Sequence, residues 1–495
     1  MTSVGFGVAA VAVALVVWWR VPWLRSWPPA PGLLIATFTV VPPHQTIVLG
    51  VGADDALFVL GLGMLLPYAL RSRAGGGSAA GRLPYVWPLA IGAGLLVAGA
   101  TISAFVNADG LPDTAALLLR GPIRLLLYVV MVVVIVAQLP RERTRTVVAR
   151  GLAAVGTFEA AFSVLAYAIG LPGGFGLQAA QGNTSLVGEI PGRVTGTLGL
   201  SPNFLGALLV LSIPVTLGIA LDAATRWHTY VRSLLGRLLG RTATTVQTGA
   251  GGWGQLGWAL AVVVQTWALV LTYTRSSLAV TLLACAVLVA LRGRLRWLAV
   301  GTVVLVALLF LTPAFDRIIH DRTDRLALYT SAVRVFLDYP IAGVGPGEQA
   351  RFTAAAPELY RATPYGVAGN NAHNTVLLAA AENGVLGLLG ALVLNLALVA
   401  VAVAVIRRAR AMSRSANSLR TEPLAIGVAM LAFLLQGMAN NLFTVTLTAS
   451  ALVMLLGGCA LPWLDRTADE DVAGAGSLAS RDLAKTAGNL EPRRI

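Results

Sequence analysis

About thirteen apolar runs follow one another along this chain, most of them roughly 17–25 residues long, and the arginines gather in the short stretches between them. A run of that length, wound as a helix, reaches across the hydrocarbon layer of a bilayer. Inside lipid every backbone N–H and C=O must be satisfied within the structure, so continuous apolar runs are read as helices. The balance of residue types agrees. Of 495 residues, 57% are hydrophobic and only 12% are charged, which no ordinary soluble domain of this length shows. The expected fold is all-α, a polytopic transmembrane helical bundle of about 12–13 spans, with residues 1–464 forming one transmembrane domain.

The expected spans are 3–19, 32–50, 54–70, 84–105, 120–138, 147–171, 199–221, 255–273, 277–291, 297–313, 375–405, 424–443 and 446–464. The first has no basic stretch before it and no small-residue cleavage site after it, so it reads as a retained span. Arginine clusters follow the first, third, fifth, seventh, ninth and eleventh spans; examples are Arg71 and Arg73, Arg141 to Arg145, and Arg407 to Arg410. All then lie on one side, which the positive-inside rule makes the cytoplasm. The polar tail 465–495 falls on that side and reads as disordered. Loops 106–119, 172–198, 274–277 and 314–374 face out. Within the large loop 314–374, Asp324–Asp338 reads as an amphipathic helix on the outer membrane face. Leu326, Tyr329, Val333, Phe336 and Leu337 recur there at helical spacing, and Pro340 ends it. Gly343-Val344-Gly345-Pro346-Gly347 reads as a tight turn.

The net charge of +14 is topological, because the cations sit in clusters between spans with no aromatic interleaving, and no nucleic-acid partner is expected. Cys285 and Cys459 lie inside apolar runs and suit neither a metal site nor a disulfide. Asp54-Asp55 and Asp109 with Asp113 could pair as carboxylates, but a helix cap explains Asp54 more simply. No metal site and no cofactor is expected.

Several polar residues stand where a span has no need of them. His373 ends the large outer loop and could take a proton near neutral pH, or be an interfacial histidine. Asn374 could bind substrate or cap the eleventh span. Glu382 lies about two turns inside that span and needs a partner. Arg275, in Tyr273-Thr274-Arg275-Ser276-Ser277, stands at an outer boundary where positive-inside bias disfavours arginine. It suits an anion, which a guanidinium grips through paired N–H donors. Arg193, in another outer loop, has the same capacity; a surface ion pair or a lipid headgroup contact is the alternative for both. Arg325 and Arg322 on the large loop are further candidates.

Taken together these residues resemble the O-antigen ligase and polymerase superfamily of bacterial envelope proteins. The pieces are Arg193-Val194-Thr195-Gly196-Thr197 with Pro202-Asn203; Thr274-Arg275-Ser276-Ser277; Arg325 with the run Pro340 to Gly347; and His373-Asn374 with Leu377, Glu382, Gly384 and Gly387. The resemblance implies a metal-independent, inverting membrane glycosyltransferase of GT-C type, in the plasma membrane with its site on the extracytoplasmic face. Its partners would be a polyprenyl-diphosphate-linked glycan donor, a lipid or glycan hydroxyl acceptor, and membrane lipids. By motif position His373, Arg275 and Arg193 would be catalytic: His373 serves the acceptor hydroxyl, and the two arginines serve the donor diphosphate. Arg325, Asn374, Glu382 and Arg322 would bind substrate. The first span and the long basic 222–253 loop depart from the commonest arrangement of that family. A polymerase of the same superfamily, a transporter or flippase, and a non-catalytic scaffold are the alternatives.

Overall fold

A computed structural model of the protein describes residues 46–48, 51–52, 83–107, 141–170, 177–178, 184–185, 188–189, 192–198, 202–238, 253–292, 316–360, 371–416 and 421–440. It is an all-α polytopic helical bundle. The helices are α1 (Leu83–Val106), α2 (Arg141–Ile169), α3 (Pro202–Leu238), α4 (Trp253–Leu271), α5 (Arg275–Leu291), α6 (Asp316–Asp338), α7 (Gln349–Ala355), α8 (Pro357–Tyr360), α9 (Thr375–Ala416) and α10 (Thr421–Gly437). Among the described residues four helices contain stretches long and apolar enough to cross a membrane: Trp87–Val106, Val148–Ile169, Pro202–Thr225 and Thr375–Met412. Leu256–Leu271, Arg275–Leu291 and Thr421–Gly437 are shorter apolar helices.

The seven expected spans that fall on described residues are all helical, and the differences are at their ends. Helix α3 runs on to Leu238, past the expected boundary at 221, through a stretch with no proline and a single glycine, Gly236, in its last turn. Helix α9 runs to Ala416 and is broken at Gly384, whose φ is 63°. Beyond that break its apolar stretch runs on to Met412, about 42 Å at 1.5 Å per residue, still longer than the ~30 Å hydrocarbon layer. The end of the expected span 32–50 departs from helix: β1 (Thr46–Val48) pairs antiparallel with β2 (Val51–Gly52). All three residues of β1, Thr46, Ile47 and Val48, are β-branched, which suits a strand. The expected spans 3–19, 54–70, 120–138, 297–313 and 446–464, the rest of 32–50 and the tail 465–495 lie outside the described residues.

Helix α3 is the central post. Of its apolar stretch 78% is buried, against 39% for those of α1 and α2, and it packs on α2, α4, α5 and α10. Small residues set how closely its neighbours approach. A Cβ on Gly218 would stand 2.5 Å from Ala425 Cβ of α10, and one on Gly206 would stand 2.6 Å from Ser277 Oγ of α5. Helices α1 and α9 pack together in the same way, with Gly99 against the backbone of Gly387 and Gly390 against that of Leu96. Small-residue contact is how helices associate where lipid supplies no hydrophobic drive. One core joins α2, α3 and α4 with Val194 through Ala160, Leu205, Leu209 and Leu269. A second joins α3, α5, α9 and α10. A buried polar knot ties the first together: Gln265 of α4 donates to Thr157, Thr216 and the Ala153 carbonyl, and accepts from Ser212.

The amphipathic helix expected over Asp324–Asp338 begins earlier, at Asp316, and turns a different face inward. Ala327, Ser331, Ala332 and Val335 are buried, while Leu326, Val333 and Leu337 are exposed. Helix α6 packs on α9, and small side chains permit the closer approach. Val335 and Ala332 enter a third core with Val344, Tyr360, Ala372, Leu378 and Ala381.

Candidate functional site

The segment carrying Arg193 is short and pinned along its length. Arg193 and Val194 form β4, paired antiparallel with β3 (Leu177–Gln178). Val194 is fully buried, Gly196 turns the chain with φ 66°, and Gly196–Leu198 is a single 3-10 turn. Arg193 Nε donates to the carbonyl of Thr272 at 3.0 Å. That carbonyl belongs to the turn between α4 and α5. Here Tyr273 takes φ 51°, a conformation that bulky residues rarely adopt, and Thr272 and Thr274 share a hydroxyl–hydroxyl bond of 2.6 Å. Arg275 is the next residue and the first of α5. The two arginine-bearing segments, 79 positions apart at the Arg193–Thr272 bond, therefore meet at one turn.

The His373 segment is built on the end of α10. The last carbonyls of a helix have no partner inside it, and here the neighbouring elements supply donors. Thr375 Oγ1 donates to the carbonyls of Gly437 and Asn440, each at 3.2 Å. Asn374 Nδ2 and the Tyr329 hydroxyl donate to the Met438 carbonyl, at 3.1 and 2.9 Å. Arg325 donates to the Ala439 carbonyl at 3.2 Å. Asn374 Oδ1 also accepts from the amides of Val376 and Leu377, at 3.0 and 3.1 Å, which is the helix cap its sequence position suggests. His373 is half-buried, and its carbonyl accepts from Tyr329 at 3.3 Å. Burial pushes the Tyr329 hydroxyl pKa up, against the opposing pull of the Arg325 charge.

Glu382 is buried, and its carboxylate accepts the backbone amides of Gly347 and Gln349. Around it the glycine loop lies across the break in α9. Val344 and Gly345 donate to the carbonyls of Ala381 and Glu382, both at 3.1 Å, and Val385 donates to the Pro340 carbonyl at 2.8 Å. Ser103 of α1 donates to the same Glu382 carbonyl at 2.6 Å. Gln349, fully buried, accepts the Ala372 amide on Oε1 at 2.7 Å, one residue before His373. Beyond the loop, Tyr360 donates to Asp338 at 3.1 Å, and Phe352 meets both Tyr339 and Tyr360 with ring centroids 5.3 Å apart. Burial, reinforced by Asp338, pushes the Tyr360 hydroxyl up to about 12.

One side chain joins the two halves. Gln436, in the last turn of α10, donates to Ser277 at 2.8 Å and to Ser276 at 3.3 Å. These serines follow Arg275, while the next residue of α10, Gly437, accepts from Thr375. The segments of Arg193, Arg275, His373, Asn374 and Arg325 thus lie at one end of the bundle, arranged around the end of α10. At the opposite end of α10, Asp222 accepts the amides of Thr421 and Glu422 and Arg292 donates to Thr421. Position 322 lies in α6 one turn before Arg325.

Sequence reasoning singled out the motif residues and missed Gln349, Tyr329 and Gln436 as parts of the site, and it passed over Glu159, which bonds to Thr197 four residues after Arg193. Glu159 alone carried a signal, a carboxylate inside an apolar run. The others are ordinary polar residues whose partners lie far along the chain.

No curated protein matches the chain. Residues 260–392 match the model of the O-antigen ligase family. That stretch takes in the Arg275 turn, α6, the glycine loop and the His373 segment as far as Gly387, with Arg193 before it. On a helical membrane bundle, it is residues 260–392 that are similar to the O-antigen ligase family.

Proposed function

We propose that the protein transfers a glycan from a polyprenyl-diphosphate carrier to a hydroxyl of a lipid or glycan acceptor. The reaction runs at the extracytoplasmic face of the plasma membrane, without a metal ion and with inversion, on a scaffold of GT-C type. The acceptor oxygen forms its bond to the anomeric carbon as the bond from that carbon to the diphosphate breaks. The proton of the acceptor hydroxyl passes to the His373 imidazole, and the diphosphate leaves on its carrier. Charge grows on the diphosphate as it departs. Fixed guanidinium groups at Arg193 and Arg275 stabilise that charge more in the transition state than in the bound donor. A positioned base contributes about 10²–10⁴-fold.

The observation that carries this reading is the bond from Arg193 Nε to the Thr272 carbonyl. It brings a second cation to the turn from which Arg275 starts, as a diphosphate with two phosphoryl groups requires. The O-antigen ligase match adds a lipid-linked glycan as the substrate class and a membrane as the setting. In this reading Arg325, Asn374 and Glu382 hold the walls against which substrate lies, through their bonds to the end of α10 and to the glycine loop. Arg322, one turn before Arg325 in α6, is assigned to substrate binding with them.

The test uses the full chain in vesicles with a defined polyprenyl-diphosphate glycan and an acceptor. The expected products are glycosylated acceptor and free polyprenyl diphosphate in equal amounts. Movement of intact donor across the bilayer with no diphosphate released would favour a flippase and end the proposal.

A further inference from the structure

Glu159 is a carboxylate with no solvent exposure, in the apolar stretch of α2, and the reaction just described gives it no task. A buried ionisable group is costly unless its lone pairs are satisfied, and an apolar residue of similar volume often serves stability equally well. Both oxygens of Glu159 are committed to a single residue. Oε2 accepts the amide N–H of Thr197 at 2.9 Å, and Oε1 accepts its hydroxyl at 2.5 Å. The approach depends on the residue beside it. A Cβ on Gly196 would stand 2.5 Å from Glu159 Oε2, and φ 66° there is a conformation that glycine supplies. The segment is therefore held at both ends: Thr197 on α2, and Arg193 on the turn before α5. Between them Val194 is sunk in the core.

We infer that Glu159 is the positioning residue for Arg193: it clamps the Arg193–Leu198 segment by its Thr197 end, so that the guanidinium is presented beside the Arg275 turn to a diphosphate. This rests on the reading of Arg193 as a diphosphate ligand. The clamp is a hydrogen-bonding device. A glutamine at 159 can reproduce it, its oxygen accepting the Thr197 amide and its NH₂ donating to the Thr197 hydroxyl. Alanine cannot.

The experiment measures binding of farnesyl diphosphate to the full chain in nanodiscs, with amide exchange over 192–198 followed in parallel. Glu159→Ala should weaken binding by about tenfold, the scale of coupling between residues in one network, and speed exchange in that segment. Glu159→Gln should stay within about twofold of wild type. In an Arg193→Ala background, Glu159→Ala should add no further loss, because a residue acting through Arg193 has nothing left to act on. Losses that multiply in the double variant would overturn the inference, as would equal losses from Gln and Ala at 159. If Arg193→Ala binds poorly and Glu159→Ala binds as wild type, only this inference falls. If Arg193→Ala binds as wild type, the diphosphate reading falls and takes the positioning role with it. Should Glu159→Ala fail to insert, Thr197→Val removes only the hydroxyl donor; it is expected to weaken binding by about threefold, and unchanged affinity would overturn the inference.

Discussion

The carbonyl oxygen of Ile341 occupies the place a side chain on Gly384 would take: a Cβ there would stand 2.2 Å from it. The contact is returned across the loop, where a Cβ on Gly343 would stand 2.4 Å from the backbone of Glu382. Two glycines, both with positive φ, let the loop before α7 close on the break in α9. Gly384→Ala adds backbone strain of roughly 1–3 kcal/mol from φ alone, and the clash with rigid backbone comes on top. The loop should lift from α9. Limited proteolysis is expected to cut the variant within 340–360 faster than wild type, with membrane insertion retained. An unchanged cleavage pattern would show that the glycine contact does not hold the loop.

His373 and Asn374 are neighbours with separable tasks. Asn374 caps α9 and ties it to α10, so Asn374→Ala should cost about 1 kcal/mol of stability and leave measurable transfer. His373→Ala should lower the transfer rate by about 10²–10⁴-fold without a comparable fall in thermal stability. Rates and melting temperatures of the two purified variants decide the matter. Full transfer by the His373 variant would remove the base role.

Arg275→Lys keeps a positive charge at the start of α5 and loses the planar pair of donors. A diphosphate held by a fork is expected to feel the difference. Most of the transfer activity should disappear, with donor KM raised more than acceptor KM. Wild-type kinetics with lysine at 275 would reduce the role of this residue to charge alone.

Tyr360 reports on the packing of the helices beside the glycine loop. Its hydroxyl, raised from 10.0 to about 12 by burial and by its bond to Asp338, keeps its proton where exposed tyrosines lose theirs. The stability it contributes is full below pH 10 and is lost as pH rises through 12. In a tyrosinate absorbance titration, Tyr360→Phe should remove a component that ionises near pH 12. A titration curve in which that component persists would assign it to another tyrosine.

The helices of the bundle were legible because lipid demands them. Spans 84–105, 147–171 and 199–221 show as apolar runs, and α1, α2 and α3 stand where the runs stand. The cap at Asn374 was legible for a similar reason: it acts on amides two and three residues away. The inward face of α6 was not. Periodicity drew attention to Leu326, Val333 and Leu337, the large apolar residues, whereas close packing on α9 selected Ala327, Ser331 and Ala332. Strand β1 (Thr46–Val48) was hidden at the end of the run 32–50, apolar enough to pass for a span.

Local composition by itself determined that this chain is a helical membrane protein and which short motifs stand at its helix ends, because burial in lipid and end-capping are decided by residues within a few turns of one another. Only the tertiary structure decided what each buried polar group answers to. Glu159 meets Thr197 across 38 positions, Gln436 meets Ser277 across 159, and Ser103 meets the Glu382 carbonyl across 279. A hydrogen bond inside the bundle is fixed by how the helices pack, and no periodicity along the chain records its other end.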